Sequence, residues 1–175
     1  MQAYPSESDD LTSDFTPQVK LLTRSLLTTL CKEAQQSDRK RKNYNFHDHE
    51  ERVQRFLNVL QPGTYVRPHC HIRPIGVNGF EFFLVLQGAI GMVILDAEGT
   101  ILRSEKLDAQ GEQRGIEIAE GLYHTVVVLE PSSVILELKE GPYQPATDKD
   151  FLQQFPPEGK AECAEYVRSW ERLFA

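Results

Sequence analysis

The feature that most limits the fold of this chain is a series of short strand-like runs between residues 43 and 140. The runs are rich in Val, Ile and Phe, and Gly, Pro or Asp separates one from the next. Strands at such regular spacing, without helical patterns between them, are typical of a β-sandwich or β-barrel. The segment 96–100, DAEGT, predicts a hairpin turn between two of them. We therefore predict a mainly β fold.

The segments before the β region predict an arm and a helix. Residues 1–15 are acidic and Ser-rich and lack periodicity, which predicts a mobile arm. Residues 16–42 form a predicted helical segment in which Thr16 is the N-cap and Pro17 the first helical residue. Apolar residues then recur every three or four positions, so we expect one amphipathic helix over roughly 17–36. Its stripe begins with Val19 and Leu22.

The segment after the β region, residues 141–175, begins as a Pro-rich connection. After Pro156 and Pro157, apolar residues return at helical spacing, with Val167 and Trp170 among them. A short C-terminal helix is predicted, packed either on the barrel or on a partner chain.

Composition limits the partners and the compartment. The net charge of −7 argues against nucleic acid as a partner, because binding a phosphate backbone needs a basic face. No stretch is apolar enough for a signal peptide or a membrane span, so we expect no membrane partner and a cytoplasmic location. The three cysteines form no CxxC pair, in keeping with a reducing compartment. A homodimer is expected, because the flanking helices and the sheet edges need covering.

Two histidines and a glutamate are the first candidates for a functional site. In a strand, residues two apart share a face, so His69 and His71 point the same way. Glu81 lies in a run, FEFFLVLQ, that is apolar on both faces, so its carboxylate is enclosed. A buried carboxylate is costly unless a cation or strong hydrogen-bond donors satisfy it. Either Arg67 or Arg73 is a possible partner, but imidazoles with a carboxylate also suit a divalent transition metal.

The other three histidines differ in their surroundings. His124 opens a β-branched strand after a glycine turn and shares its face with Val126 and Val128. His47 and His49 also have HxH spacing, but their neighbours are polar, which favours a solvated segment. His47 alone remains a candidate to line a pocket.

These residues resemble the two conserved motifs of the cupin superfamily. Gly63 lies before the HxH pair and Gly88 after Glu81 at the cupin spacings, and GIEIAEGLYH (115–124) resembles the second motif. The resemblance implies a single cupin domain, a double-stranded β-helix or jelly-roll barrel, over about 43–140. It also implies a metal ion held by His69, His71, Glu81 and His124. Zn, Fe, Mn and Ni all remain possible.

The sequence departs from these motifs at three places. The spacer of nine residues between His71 and Glu81 is longer than usual and predicts a long loop at the mouth of the site. Ala119 stands where the second motif has proline, and Val128 where it has asparagine. The sequence also resembles, more narrowly, the WbuC-type cupin metalloproteins, through RKNYNFH, TYVRPHCH and ELKEGPYQPATDKDF. This resemblance implies a role connected with sugars.

The function implied is action on a small polar molecule, either a sugar or a nucleotide-sugar. An isomerase or epimerase would need a base near the ion, and the candidates are Tyr123, His47 and Tyr143. Tyr123 alternates with Thr125 and Val127, which favours a packing role for it. An iron-dependent dioxygenase and a non-catalytic sensor are the alternatives that the same ligands allow.

Three basic residues are the candidates to hold a phosphate or carboxylate group of the bound molecule. They are Arg41, Arg67 and Lys139.

Overall fold

The computed structural model describes residues 19–142 and 149–175. Within these residues the chain forms two α-helices and ten β-strands. The helices are α1 (Arg24–Gln36) and α2 (Cys163–Glu171), and a 3-10 turn (Arg172–Phe174) follows α2. The strands are β1 (Arg41–Asn45), β2 (Val53–Leu60), β3 (His69–Cys70), β4 (Glu81–Gln87), β5 (Ala89–Leu95), β6 (Ile101–Asp108), β7 (Gly115–Ile118), β8 (Tyr123–Val128), β9 (Ser133–Glu140) and β10 (Asp150–Phe151).

The strands form two antiparallel five-stranded sheets, as expected of a mainly β chain. The first sheet has the order β1-β2-β9-β4-β7, and the second has the order β10-β3-β8-β5-β6. The predicted turn at 96–100 joins β5 to β6, where the Asp96 carboxylate accepts a hydrogen bond from the Thr100 amide at 2.7 Å. The prediction of a mainly β, jelly-roll-like fold is confirmed.

The two sheets do not close into a continuous barrel in the described residues, which corrects part of the prediction. The hydrogen-bonded orders end at β1 and β7 in one sheet and at β10 and β6 in the other. Strand β6 carries Arg103, Glu105 and Lys106, and most of its residues are exposed. Charged side chains on an exposed edge strand oppose further pairing, so the edge stays open.

The space between the sheets has two halves of different chemistry. One half is packed with apolar side chains that are almost fully excluded from solvent, including Ile90, Met92 and Ile135. The other half is an open, polar cavity. We call these the apolar half and the cavity half.

Helix α1 covers the outer face of the first sheet. Leu30 and Ala34 are buried against Leu57, Val59 and Val134, so the part of the predicted apolar stripe that lies within the helix packs on the sheet. The helix begins later than predicted, and residues 19–23 are not helical.

The reason for the later start lies at Thr23, whose hydroxyl accepts a hydrogen bond from the Leu26 amide at 3.1 Å. That contact makes Thr23 the N-cap, so the helix begins at Arg24. Val19 and Leu22 of the predicted stripe are exposed. The predicted cap Thr16 and Pro17 lie outside the described residues.

Helix α2 covers the outer face of the second sheet. Val167 and Trp170 are buried there, and the Trp170 ring stacks on Tyr65 with the ring centroids 5.9 Å apart. Gly91 of β5 leaves room for the Phe174 ring, which a Cβ at that position would strike. In the described part of the chain, neither helix combines the length and the hydropathy needed to cross a bilayer.

Candidate metal centre

Three strands bring four ligand-type side chains to one point at the border between the two halves. His69 on β3 pairs in register with His124 on β8, and their ring centroids lie 4.6 Å apart. His71 follows β3, and Glu81 is the first residue of β4 in the facing sheet. One donor atom from each residue lies within 4.8 Å of the others, and all four side chains are buried. The structure thus gathers the four residues that the sequence resemblance implied.

Backbone carbonyl groups orient two of the three imidazoles. His69 Nδ1 lies 2.9 Å from the Arg67 carbonyl oxygen, and His124 Nδ1 lies 3.0 Å from the Leu122 carbonyl oxygen. A carbonyl oxygen only accepts, so each Nδ1 carries the hydrogen and donates it. The Nε2 lone pairs of both rings are left for a ligand. At His71 the neighbour of Nδ1 is the Arg73 guanidinium, at 3.3 Å.

The long spacer before Glu81 is held by a carboxylate that the sequence analysis missed. Glu120 accepts hydrogen bonds from the Arg73 amide at 2.7 Å and from the Gly79 amide at 3.1 Å. Glycine at position 79 permits this approach, because a Cβ would lie 2.6 Å from the Glu120 side chain and 2.9 Å from the His71 carbonyl oxygen. These contacts tie both ends of the loop to the turn before β8, so Glu81 reaches the histidines despite nine intervening residues.

The donor set passes a test of fit for a metal ion. Glu81 Oε2 and His124 Nε2 lie 2.8 Å apart, yet both are buried without a well-formed hydrogen bond in the described part of the chain. Leaving such atoms unsatisfied is costly, and a cation at the shared point would satisfy both. Three imidazole nitrogens and one carboxylate oxygen suit Zn, Fe, Mn and Ni.

The charge states of the ligands agree with this fit. Burial lowers the pKa of His69 well below its ordinary value, and the nearby Lys149 acts in the same direction, so the ring is neutral. Burial by itself would raise the pKa of Glu81, but in the metal-free form hydrogen bonds from His124 and His71, with a proton on Nε2, outweigh it and hold the pKa well below its ordinary value. A neutral imidazole and an ionised carboxylate are the forms that bind a metal.

A second buried carboxyl group, Glu137, lies beside the candidate centre. Burial, followed by the charge of Glu81, raises the pKa of Glu137 well above its ordinary value. Asn58 donates a hydrogen bond to Glu137 Oε2 at 2.6 Å. Glu137 is on β9, the strand hydrogen-bonded to β4, so it lies one strand away from Glu81.

The cavity half opens from this centre as a space of about 1090 Å³. Small-molecule sites typically have volumes of about 300–1,000 Å³, so this one lies slightly above the range. Its walls include three of the four candidate ligands, namely His69, Glu81 and His124.

All three predicted basic residues line the cavity, in different ways. Arg41 donates to the Tyr65 carbonyl oxygen at 2.6 Å and to Glu158 Oε2 at 2.7 Å, which makes it part of the wall. Arg67 donates to the Leu152 carbonyl oxygen at 3.1 Å, so it contacts β10 and its flank rather than Glu81. Lys139 is opposite Glu81 in register on the adjacent strand, and of these three residues it is the nearest to the centre by strand position.

The three predicted bases are placed apart from one another. His47 lines the cavity, and its Nδ1 accepts a hydrogen bond from the Arg55 amide at 2.8 Å. Tyr123 packs with the buried cluster under α2, on the face of β8 opposite to His124. Its hydroxyl pairs with the Cys70 thiol, which raises the pKa of Tyr123. Tyr143 lies outside the described residues.

Three further cavity residues were missed from the sequence: Glu137, Asn58 and Lys149. A signal for Glu137 was present, because it lies two positions before Lys139 and has to share its face of the strand. Asn58 and Lys149 gave no such signal, because their position depends on which strands are neighbours.

Comparisons with known proteins place the fold in context. A family model described as a domain of unknown function, DUF6016, matches residues 22–107. A search of curated protein sequences finds no match. Among solved structures, the capsular polysaccharide assembling protein CapF from Staphylococcus aureus is 19% identical, with a TM-score of 0.54. The alignment covers 66% of this chain and 32% of CapF, so this chain spans about a third of CapF's length.

Two other structures are similar to this chain at lower scores. A cupin superfamily protein from Desulfitobacterium hafniense is 15% identical, over 57% of this chain and 76% of its own, with a TM-score of 0.44. Oxalate decarboxylase from Bacillus subtilis, described with Mn(II) centres, is 15% identical, over 74% of this chain and 35% of its own, with a TM-score of 0.49.

The architecture and the likeness to CapF support a cupin fold, with a buried group of three histidines and one glutamate that is compatible with a divalent metal. The narrower resemblance to WbuC-type proteins stays a prediction.

Proposed function

We propose that this chain binds one divalent transition metal ion through His69, His71, Glu81 and His124, and a small polar molecule in the cavity beside it. The observation that carries the proposal is the convergence of four buried donor atoms within 4.8 Å. The lack of a well-formed hydrogen bond at Glu81 Oε2 and His124 Nε2 in the described residues supports it.

The chemistry that the ion supplies when bound is polarisation of a hydroxyl or carbonyl group, or acidification of a water molecule. The residues of this chain bind and orient the molecule. Lys139 places a cation on the strand adjacent to Glu81, where it holds a negatively charged group. Asn58 fixes one oxygen of Glu137 in the cavity wall. We favour a sugar or nucleotide-sugar as the molecule, and an isomerase- or epimerase-like reaction.

Such a reaction needs a side chain that moves a proton, and strand spacing separates the candidates. His47 follows β1, which is three strands from β4, or about 14 Å at the ordinary spacing of about 4.8 Å. Glu137 lies one strand from β4. We therefore prefer Glu137 to His47 as the side chain that transfers a proton to or from a bound molecule near the metal centre. Tyr143 keeps its place as a sequence-based candidate, whereas Tyr123 packs away from the cavity.

An iron-dependent dioxygenase and a non-catalytic binding or sensor protein remain the alternatives, because the same ligands suit all three. Bound iron with oxygen consumption would favour the dioxygenase. A closed tetrahedral zinc site, seen by X-ray absorption spectroscopy, would favour a structural ion in a binding protein.

A homodimer in the cytoplasm belongs to the same proposal. Ile101 and Leu102 are exposed at the start of β6, which supports a second copy packing against these two apolar side chains without pairing with the charged strand edge. Sedimentation of the purified protein tests it, and a monomer at micromolar concentration would refute the dimer.

Metal analysis tests the main proposal. Protein purified without chelator should contain about one transition metal ion per chain. The double variant His69→Ala/His124→Ala should contain none. The matched control is His49→Ala, since His49 also lines the cavity but lies outside the four-residue group. A double variant that keeps its metal would refute the ligand assignment.

A further inference from the structure

The charge of the cavity is opposite to the charge of the chain. The whole sequence has 19 basic and 26 acidic residues. Among the described residues, five basic side chains but only three acidic ones line the cavity. The basic ones are Arg39, Arg41, Arg67, Lys139 and Lys149, whereas Lys42 is paired with Glu33 of α1 on the outer face of the sheet. A concave site that gathers one sign of charge against the sign of the whole molecule favours ligands of the opposite sign.

The outer wall of the cavity keeps an excess of positive charge, and at the centre this excess comes from the proposed ion. Glu158, one of the three acidic residues, is paired at the outer wall with Arg39 and Arg41 at 2.8 Å and 2.7 Å. Deeper in, Lys139 and Lys149 lie near Glu81 and Glu137, and a divalent ion at the proposed centre adds two positive charges. An anionic group is therefore favoured beside the centre.

The remaining polar lining fits hydroxyl groups. Asn43, Asn45 and Asn58 line the cavity from β1 and β2, where Asn43 pairs in register with Asn58. A carboxamide both donates and accepts hydrogen bonds, as a hydroxyl group does, so a row of amides suits a molecule with several hydroxyl groups. Phe56 and Phe83 flank Glu137 in register and give the same wall apolar surfaces.

From these observations we infer that the cavity binds an anionic, polyhydroxylated molecule, with its acid group beside Lys139 and its hydroxyl groups along the amides of β1 and β2. The inference deepens the proposed function and rests on it for the ion at the inner end. The acid group is either a carboxylate or a phosphate, since both pair with ammonium groups.

Four probes test the inference on the metal-loaded, full-length protein by titration calorimetry: D-glucuronate, D-glucose 6-phosphate, D-glucose and succinate. The affinity of at least one of the first two should be at least about tenfold higher than that of glucose and that of succinate. Glucose lacks the charge, and succinate lacks the hydroxyl groups. Whichever of the two binds more tightly identifies the acid group. The inference is overturned if glucose or succinate binds as tightly as the better of them, or if none of the four binds.

Two variants and a salt titration locate the contacts. Lys139→Gln should weaken the better anionic probe about tenfold and leave glucose unchanged. Asn43→Ala/Asn45→Ala, which leaves the contact between Asn58 and Glu137 intact, should weaken that probe about tenfold and leave succinate unchanged. Should Lys139→Gln fail to fold, the wild-type protein still decides, because added salt has to weaken an ion-paired probe. Salt-independent binding would overturn the inference.

The metal content of each sample separates this inference from the proposed function. Loss of all four probes with one ion per chain present refutes the inference alone. A chain without metal refutes the proposed function, while the four affinities still test the charge and hydroxyl preferences of the cavity.

Discussion

The two halves of the space between the sheets are built from the same strands and yet differ in chemistry. On each of β4, β8 and β9, every second side chain points into the space between the sheets. Over three successive inward positions these side chains change from polar to apolar. The inward series are Glu81, Phe83 and Val85 on β4; His124, Val126 and Val128 on β8; and Lys139, Glu137 and Ile135 on β9.

This contrast shows that stability and function occupy different ends of one set of strands. The apolar half excludes water from at least a dozen side chains, which is the main favourable contribution to folding. The cavity half keeps charged and amide groups that would be costly without partners or ligands. The rigid apolar end thereby holds the polar end in position.

The largest effect that we expect is on the cavity half and comes from removing the metal. With free metal at about a thousand times its Kd, bound metal adds about 4 kcal/mol to the free energy of unfolding. Chelation should therefore lower the melting temperature of the wild-type protein and leave that of His69→Ala/His124→Ala unchanged. An unchanged wild-type melting temperature would mean that an internal partner, and not an ion, satisfies Glu81.

Next in size is a cavity made in the apolar half. Ile90→Ala should lower the free energy of unfolding by about 3 kcal/mol, because Ile90 is fully buried and the truncation leaves a void. Urea denaturation measures this loss. The metal content should stay at one ion per chain, and the effect of chelation should add to that of Ile90→Ala if the halves are independent. Loss of metal from Ile90→Ala would show that they are coupled.

A smaller effect is expected where the C-terminal segment meets the cavity wall. Arg41 and Arg39 both pair with Glu158, but the Arg41 side chain is only 14% exposed and that of Arg39 is 62% exposed. Arg41→Gln should lower the free energy of unfolding by about 2 kcal/mol, since it also removes the donor to the Tyr65 carbonyl oxygen. Arg39→Gln, the matched control, should cost less than about 1 kcal/mol. Equal losses in urea denaturation would contradict the assignment of Arg41 to the buried wall.

The smallest effect that we expect is on the pH dependence of the unfolding free energy, in which Glu137 and Glu81 act in opposite directions. The pKa of Glu137 is raised in the folded protein, so its contribution to stability is present below its ordinary value of 4.5 and is lost as the pH rises through the folded value. The lowered pKa of Glu81 acts in the opposite direction, and its contribution is lost as the pH falls.

In chelator-treated protein, Glu137→Gln should flatten the decline of the unfolding free energy above pH 4.5. The slope should change by no more than about 1.4 kcal/mol per pH unit, the limit for one proton. Urea denaturation at a series of pH values measures it. A variant with the same slope as the wild type would show that Glu137 is ionised in the folded chain.

The sequence by itself determined the β character of the chain, the shared face of His69 and His71, and the need of Glu81 for a partner. These follow from local rules, since alternation along a strand assigns each side chain to a face and an apolar run encloses a carboxylate. The turn at 96–100 and the use of the α1 stripe are local in the same way.

Only the tertiary structure decided which strands are neighbours, and the rest of the site depends on that. It placed Glu137 one strand from Glu81, turned Tyr123 toward α2, and joined Arg41 to Glu158 across the chain. It also showed Glu120 holding the loop before Glu81. Alternation gives the two faces of a strand but not what covers each face, and contacts between residues far apart in the chain leave no local pattern.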